Sequence, residues 1–146
     1  MHPKLVVCPS CRSLNRVPAA RLGDHPKCGA CKAPLLSGQP LALGREDFQL
    51  HLERGELPLV VDFWAPWCGP CRAMAPVFER VAGEWRGQAQ FVKVDTEAEP
   101  NLAARYGIRS IPTLAIFRGG RELTRTAGAM DAASLNHWIR AGLAAA

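Results

Sequence analysis

Six cysteines stand in this chain as three Cys-x-x-Cys pairs, Cys8/Cys11, Cys28/Cys31 and Cys68/Cys71. Two thiols at this spacing can hold half of a metal site, close a local disulfide, or cycle between dithiol and disulfide. The first two pairs flank the 16 residues from Arg12 to Lys27, a separation that suits two turns each offering two thiolates to one zinc ion. Four thiolates complete a tetrahedron with no open position for catalysis, so the module expected at Cys8, Cys11, Cys28 and Cys31 is structural, or redox-sensitive, since metal-bound thiolates stay nucleophilic and their oxidation would eject the ion. Two local disulfides are the competing arrangement. His2 and His25 lie near enough to be weighed as ligands, but four cysteines already fill the coordination shell.

The third pair has a different setting, in Trp64-Ala65-Pro66-Trp67-Cys68-Gly69-Pro70-Cys71. An apolar run, Leu59-Val60-Val61-Asp62-Phe63, precedes it and predicts a buried strand, while the residues after it predict a helix. A cysteine at a strand-to-helix junction meets unpaired N–H groups and the positive end of the helix dipole, which lower a thiol pKa from ~8.5 toward neutrality. The thiolate is the species that attacks a disulfide, so Cys68 is the expected nucleophile and Cys71, one turn on, the expected resolving thiol. Pro70 is tolerated in the first helical turn and fixes its entry, and Gly69 leaves the approach clear. Asp62 is an acid inside a strand that reads as buried, costly to keep there without a role.

These groups need a scaffold, and the rest of the chain supplies one. Strands are predicted at Leu59–Ala65, Ala89–Val94, Thr113–Phe117 and Leu123–Thr126, and helices at Asp47–Arg54, Pro70–Trp85, Asn101–Tyr106 and Asp131–Leu143. In the second helix Met74, Val77, Phe78, Val81 and Trp85 recur at three- and four-residue steps. The order strand, helix, strand, strand pair, helix predicts an α/β fold in three layers, with the first two strands parallel across a helical crossover.

The first quarter differs. Residues 1–38 carry six basic side chains against Asp24 alone, whereas the remainder balances twelve of each sign, so the whole excess of +5 lies there. Their Cys, Pro and Gly content shows no sustained period and predicts loops around a metal, with little apolar surface of their own to bury. We place the boundary at the turn-rich stretch near Ser37, giving a zinc-binding module over 1–37 and a catalytic domain over 38–146. No Phe, Tyr or Trp precedes Phe48, so a base-stacking nucleic-acid surface is not expected despite the charge. No apolar run is long enough for a signal peptide or a membrane span, and six cysteines in a reducing compartment suit metal and redox chemistry; a cytoplasmic monomer is expected.

The motif Trp64-Ala65-Pro66-Trp67-Cys68-Gly69-Pro70-Cys71, with Tyr106-Gly107-Ile108-Arg109-Ser110-Ile111-Pro112-Thr113, Phe117-Arg118-Gly119-Gly120 and Gly128, resembles the thioredoxin family over about residues 40 to 146. The four-cysteine module in front is similar to the N-terminal part of its thioredoxin 2 subgroup. The resemblance implies a thioredoxin fold with a mixed central sheet flanked by helices and a small zinc-ribbon-like module. It also implies a protein-disulfide reductase that is regenerated by a flavin-dependent thioredoxin reductase using NADPH, with no tightly bound organic cofactor of its own. By the same resemblance Asp62 assists proton transfer at Cys71, and Ile111-Pro112 forms a cis-proline loop opposite the cysteines. The Ile111 backbone would then pair with an extended substrate segment, and Trp67, Gly69, Pro70 and Gly128 would join the surface that disulfide-containing proteins meet. Many family members place a lysine beside the aspartate. In this reading that position falls at Phe91, a departure, with Lys93 as the alternative two residues on.

Overall fold

The computed structural model describes residues 2–145. Its main body is a five-stranded sheet in the order β3-β5-β4-β6-β7, formed by β3 (Leu41–Ala42), β4 (Leu59–Trp64), β5 (Gln90–Asp95), β6 (Thr113–Arg118) and β7 (Arg121–Ala127). The first three of these in spatial order run parallel, and β6 and β7 are antiparallel to their neighbours, so the sheet is mixed as expected. Helices α1 (Arg45–Arg54) and α3 (Pro100–Arg105) cover one face; α2 (Gly69–Glu84) and α4 (Ala132–Ala144) cover the other.

The alternation of side chains along β4 divides the core in two. Val61 and Phe63 join Phe48, Leu52, Leu102 and Phe117 on the α1 side. Val60 joins Met74, Phe78, Val81, Leu135 and Ile139 on the α2 side. Burial on both faces explains why β4 reads as a continuous apolar run rather than an alternating one. Asp62 shares the pleat direction of Val60 and therefore faces α2.

The N-terminal segment differs from its expected loop structure. Lys4–Val7 (β1) and Leu14–Val17 (β2) pair as an antiparallel hairpin, with Leu5 opposite Arg16 and Val7 opposite Leu14. Four-residue strands are too short to print a period on a sequence this rich in cysteine and proline. The ribbon is not without a core either. Val6, Val17, Leu35 and Leu36 are buried in one cluster with Leu57, which belongs to the turn between α1 and β4.

Leu57 thus brings a residue from the turn before β4 into the ribbon's own cluster, and polar contacts fasten the ribbon to its neighbours. Glu56 N–H donates to the Leu5 carbonyl (2.8 Å), and Leu5 N–H donates to Glu56 Oε1 (2.7 Å). Arg12 Nε lies 2.6 Å from Asp47 Oδ1 on α1. Arg86 donates to the Gly23 carbonyl (3.2 Å) and lies 3.3 Å from His25 Nδ1. Gly87 sits beneath this crossing with φ +84°, and a Cβ there would come within 2.9 Å of the Leu22 carbonyl oxygen. Only glycine fits both the backbone and the space.

Candidate functional site

Cys68 and Cys71 are joined as a disulfide at the start of α2, with 5.2 Å between their Cα atoms. Cys68 is the N-cap, and its sulfur accepts the Cys71 N–H (3.2 Å). A polarised donor held against this sulfur stabilises negative charge on it, the requirement for an attacking or leaving thiolate. Pro70 falls in the first helical turn, where its missing N–H costs nothing. Both cysteines are nearly closed to solvent, at 4% and 2% exposure, so little of either sulfur is offered to a reaction partner.

Asp62, on β4 with its side chain toward the α2 face, is fully buried, and neither carboxylate oxygen has a hydrogen-bond partner among the described residues. Burial pushes its pKa up to about 6, and the nearby Lys93 charge opposes that rise. The strand register corrects the sequence reading here. Asp62 pairs directly with Lys93 on β5, whereas Phe91 pairs with Val60. The lysine is therefore present and the expected departure disappears, the register lying two residues along β5 from the expected position. Lys93 Nζ also lies 4.2 Å from the centre of the Trp64 ring.

The remaining predicted residues gather round the cysteines. Ile111-Pro112 is a cis peptide, and the Ile111 carbonyl oxygen lies 3.8 Å from Cys68 Sγ. Gly128 N–H donates to the Pro112 carbonyl (2.9 Å), tying the two loops together, and Gly128 itself has φ +100°. Trp67 is 64% exposed, Gly69, Pro70 and Gly128 are exposed, and Ile111 is half-buried. Sequence reasoning missed Glu97, whose Oε1 accepts the Trp67 indole N–H (2.6 Å) and fixes the ring. The two residues are thirty positions apart, and no local pattern announces the pairing.

The other four cysteines meet at the tip of the ribbon, with their sulfurs within 4.8 Å of one another and no disulfide between them. Cys8 Sγ lies 3.6 Å from Cys31 Sγ, and Cys11 Sγ lies 3.6 Å from Cys28 Sγ. A tetrahedral ion with metal–sulfur bonds of ~2.3 Å separates its sulfurs by about 3.8 Å, close to the spacing of these two pairs, so the donor set suits such an ion. The two turns are built alike. Ser10 and Cys11 N–H groups point at Cys8 Sγ (3.3 and 3.4 Å), and Ala30 and Cys31 N–H groups point at Cys28 Sγ (3.3 and 3.5 Å). At Cys28 the Cys31 N–H, with the Asn15 side chain, lowers the thiol pKa to about 6. Neither His2 nor His25 belongs to the cluster.

A redox-active cysteine pair capping a helix, beside a cis-proline loop and with a buried acid on the preceding strand facing that helix, defines a dithiol–disulfide oxidoreductase. The thioredoxin family model matches residues 39–141, and the family described as "Thioredoxin 2, N-terminal" matches residues 7–33. Among curated relatives, Thioredoxin C-3 of Corynebacterium nephridii is 42% identical over 135 residues, spanning 92% of each chain. The chloroplastic M-type thioredoxin of Chlamydomonas reinhardtii is 38% identical over 82% of this chain and 87% of its own. The thioredoxin of Synechocystis is 51% identical over 55% of this chain and 75% of its own. The chain belongs to the thioredoxin family, with a ribbon of the thioredoxin 2 type in front of the catalytic fold. Among the described residues no helix is long and apolar enough to cross a membrane.

Proposed function

We propose that this protein reduces disulfides in other proteins and is returned to its dithiol form by a thioredoxin reductase drawing on NADPH. The observation that carries the reading is the Cys68 sulfur at the N-terminus of α2, accepting the Cys71 N–H at 3.2 Å, with an unpartnered buried acid on the preceding strand. The Cys68 thiolate attacks a substrate disulfide, forming a mixed disulfide and releasing one substrate thiolate, which takes a proton from solvent. Cys71 then loses its proton toward Asp62 and attacks Cys68 Sγ. The Cys68–Cys71 bond forms and the second substrate thiolate leaves, so two electrons pass from the dithiol to the substrate. A carboxyl held near pH 6 is matched to that transfer at neutral pH.

In this reading Pro112 keeps the loop against the cysteines, and Ile111 offers its backbone to an extended substrate segment as an added strand would. Trp67, Gly69, Pro70 and Gly128 form the surface around the two cysteines. Residues 1–37 make the zinc module and 38–146 the catalytic domain. One zinc ion held by Cys8, Cys11, Cys28 and Cys31 supplies folding energy to the ribbon and takes no part in the exchange. We assign the protein to the cytoplasm as a monomer. Insulin reduction by the purified protein, with NADPH and a thioredoxin reductase, tests the assignment. Cys68→Ser should abolish turnover, and Cys71→Ser should accumulate the mixed disulfide; normal turnover by Cys68→Ser would sink it.

A further inference from the structure

We propose that the outer edge of β2, with the basic cleft beside it, binds an extended acidic segment of a partner protein. The hairpin has two edges, and the structure closes only one. On β1, Leu5 turns both backbone groups away from β2 to bond with Glu56 (2.8 and 2.7 Å). Facing residues of an antiparallel pair either exchange both backbone bonds or neither. Arg16, opposite Leu5, therefore points its N–H and C=O away from the hairpin, and Leu14 does the same two residues earlier. Among the described residues neither has a backbone partner on that side.

The cleft beside this edge has a volume of about 200 Å³ and is lined by Arg16, Arg21 and Lys27, with Asp24 as its one acid. None of the three cations has a carboxylate within ion-pair distance among the described residues, whereas Arg12 is already committed to Asp47. An apolar shelf of Pro3, Pro18, Ala19 and Ala20 adjoins it, sharing Arg16 as a wall. An added strand would satisfy the open donors and acceptors while its alternate side chains reached the cations and the shelf.

Three features select an acidic peptide over other occupants. The positive excess of the whole chain is concentrated in residues 1–38, so a second copy meets this face with like charge. A sugar–phosphate backbone cannot form the alternating donor–acceptor ladder of a strand edge, and no Phe, Tyr or Trp precedes Phe48 to stack on bases. Arg16 on the edge itself discourages pairing with neutral or basic strands but not with acidic ones.

The test is fluorescence anisotropy with the metal-loaded full-length protein and a labelled peptide that alternates Asp or Glu with Val or Leu. A Lys-for-acid version of that peptide and a single-stranded DNA of equal charge serve as comparison probes. The acidic peptide should bind saturably, weaken as salt rises, and protect the Leu14 and Arg16 amides from hydrogen exchange. The triple variant Arg16→Glu, Arg21→Glu, Lys27→Glu should lose about tenfold or more in affinity, with metal content and insulin reduction unchanged. A neutral triple variant to Gln should fall between the two. Absence of saturable binding, wild-type affinity in the Glu variant, or unprotected Leu14 and Arg16 amides would each overturn the proposal. Tighter binding of the DNA than of the peptide would overturn it as well, assigning the face to nucleic acid. Since disulfide reduction is read separately, failure here leaves the proposed activity standing.

Discussion

Replacing Asp62 with Asn should make the oxidised protein more stable, by an amount set by pH. The carboxyl is fully buried and lacks hydrogen-bond partners, and its pKa rises from 3.8 to about 6. Each unit is worth ~1.4 kcal/mol, so the ionised group costs the folded state roughly 3 kcal/mol. A carboxyl with a raised folded pKa binds its proton more tightly when folded. Its contribution is therefore favourable below pH 4, fades as pH climbs toward 6, and is gone above that. Asn matches the side chain in size, stays neutral, and titrates nowhere. The variant should equal the parent near pH 3.5 and exceed it by about 3 kcal/mol at pH 8, the gap opening between these values. Urea unfolding of both disulfide-bonded proteins across that range measures it. Equal stability at pH 8, or a gap that does not change with pH, would refute the account of Asp62 as a desolvated acid.

Lys93→Met should raise the Asp62 pKa further, since the lysine charge opposes the effect of burial; a downward shift of the carboxyl ¹³C titration would contradict the pairing. Phe78→Ala, at a fully buried site of α2 packed on Phe91, should cost about 3–5 kcal/mol in urea unfolding, and a loss below 1 kcal/mol would deny Phe78 its place in the core. Stripping the metal with a mercurial and a chelator should expose the amides of Val6 and Val17 to exchange while those of Val61 and Val92 stay protected. Continued protection of the ribbon amides would mean that the ribbon's apolar cluster suffices without the ion.

The chemistry was legible because it is written in short stretches. Cys68, Pro70 and Cys71 state their roles within four residues, and the long runs of β4 and α2 show their periods plainly. What escaped depended on partners distant in sequence. The β4–β5 register places Lys93 beside Asp62, and a single step of two residues along β5 was enough to put Phe91 there instead. Glu97 is recognisable as the support of Trp67 only once the loop after β5 has folded over the motif. The ribbon hairpin and the two-residue β3 are too short to carry a pattern, and the ribbon core is completed by Leu57, which lies in the other part of the chain. Long-range pairing, not composition, decided each of these.

Lys93 has two neighbours, the Asp62 carboxyl beside it and the Trp64 ring 4.2 Å from its ammonium. An indole reports electric field through its emission. When the carboxyl is ionised it competes for the ammonium, and when it is protonated the ammonium is left to the ring face. Trp64 emission should therefore change with a midpoint at the Asp62 pKa, near 6, although Trp64 itself does not titrate. The fold thus contains an optical indicator of the acid proposed to move the proton, read as Trp64 emission once Trp67, Trp85 and Trp138 are replaced by Phe.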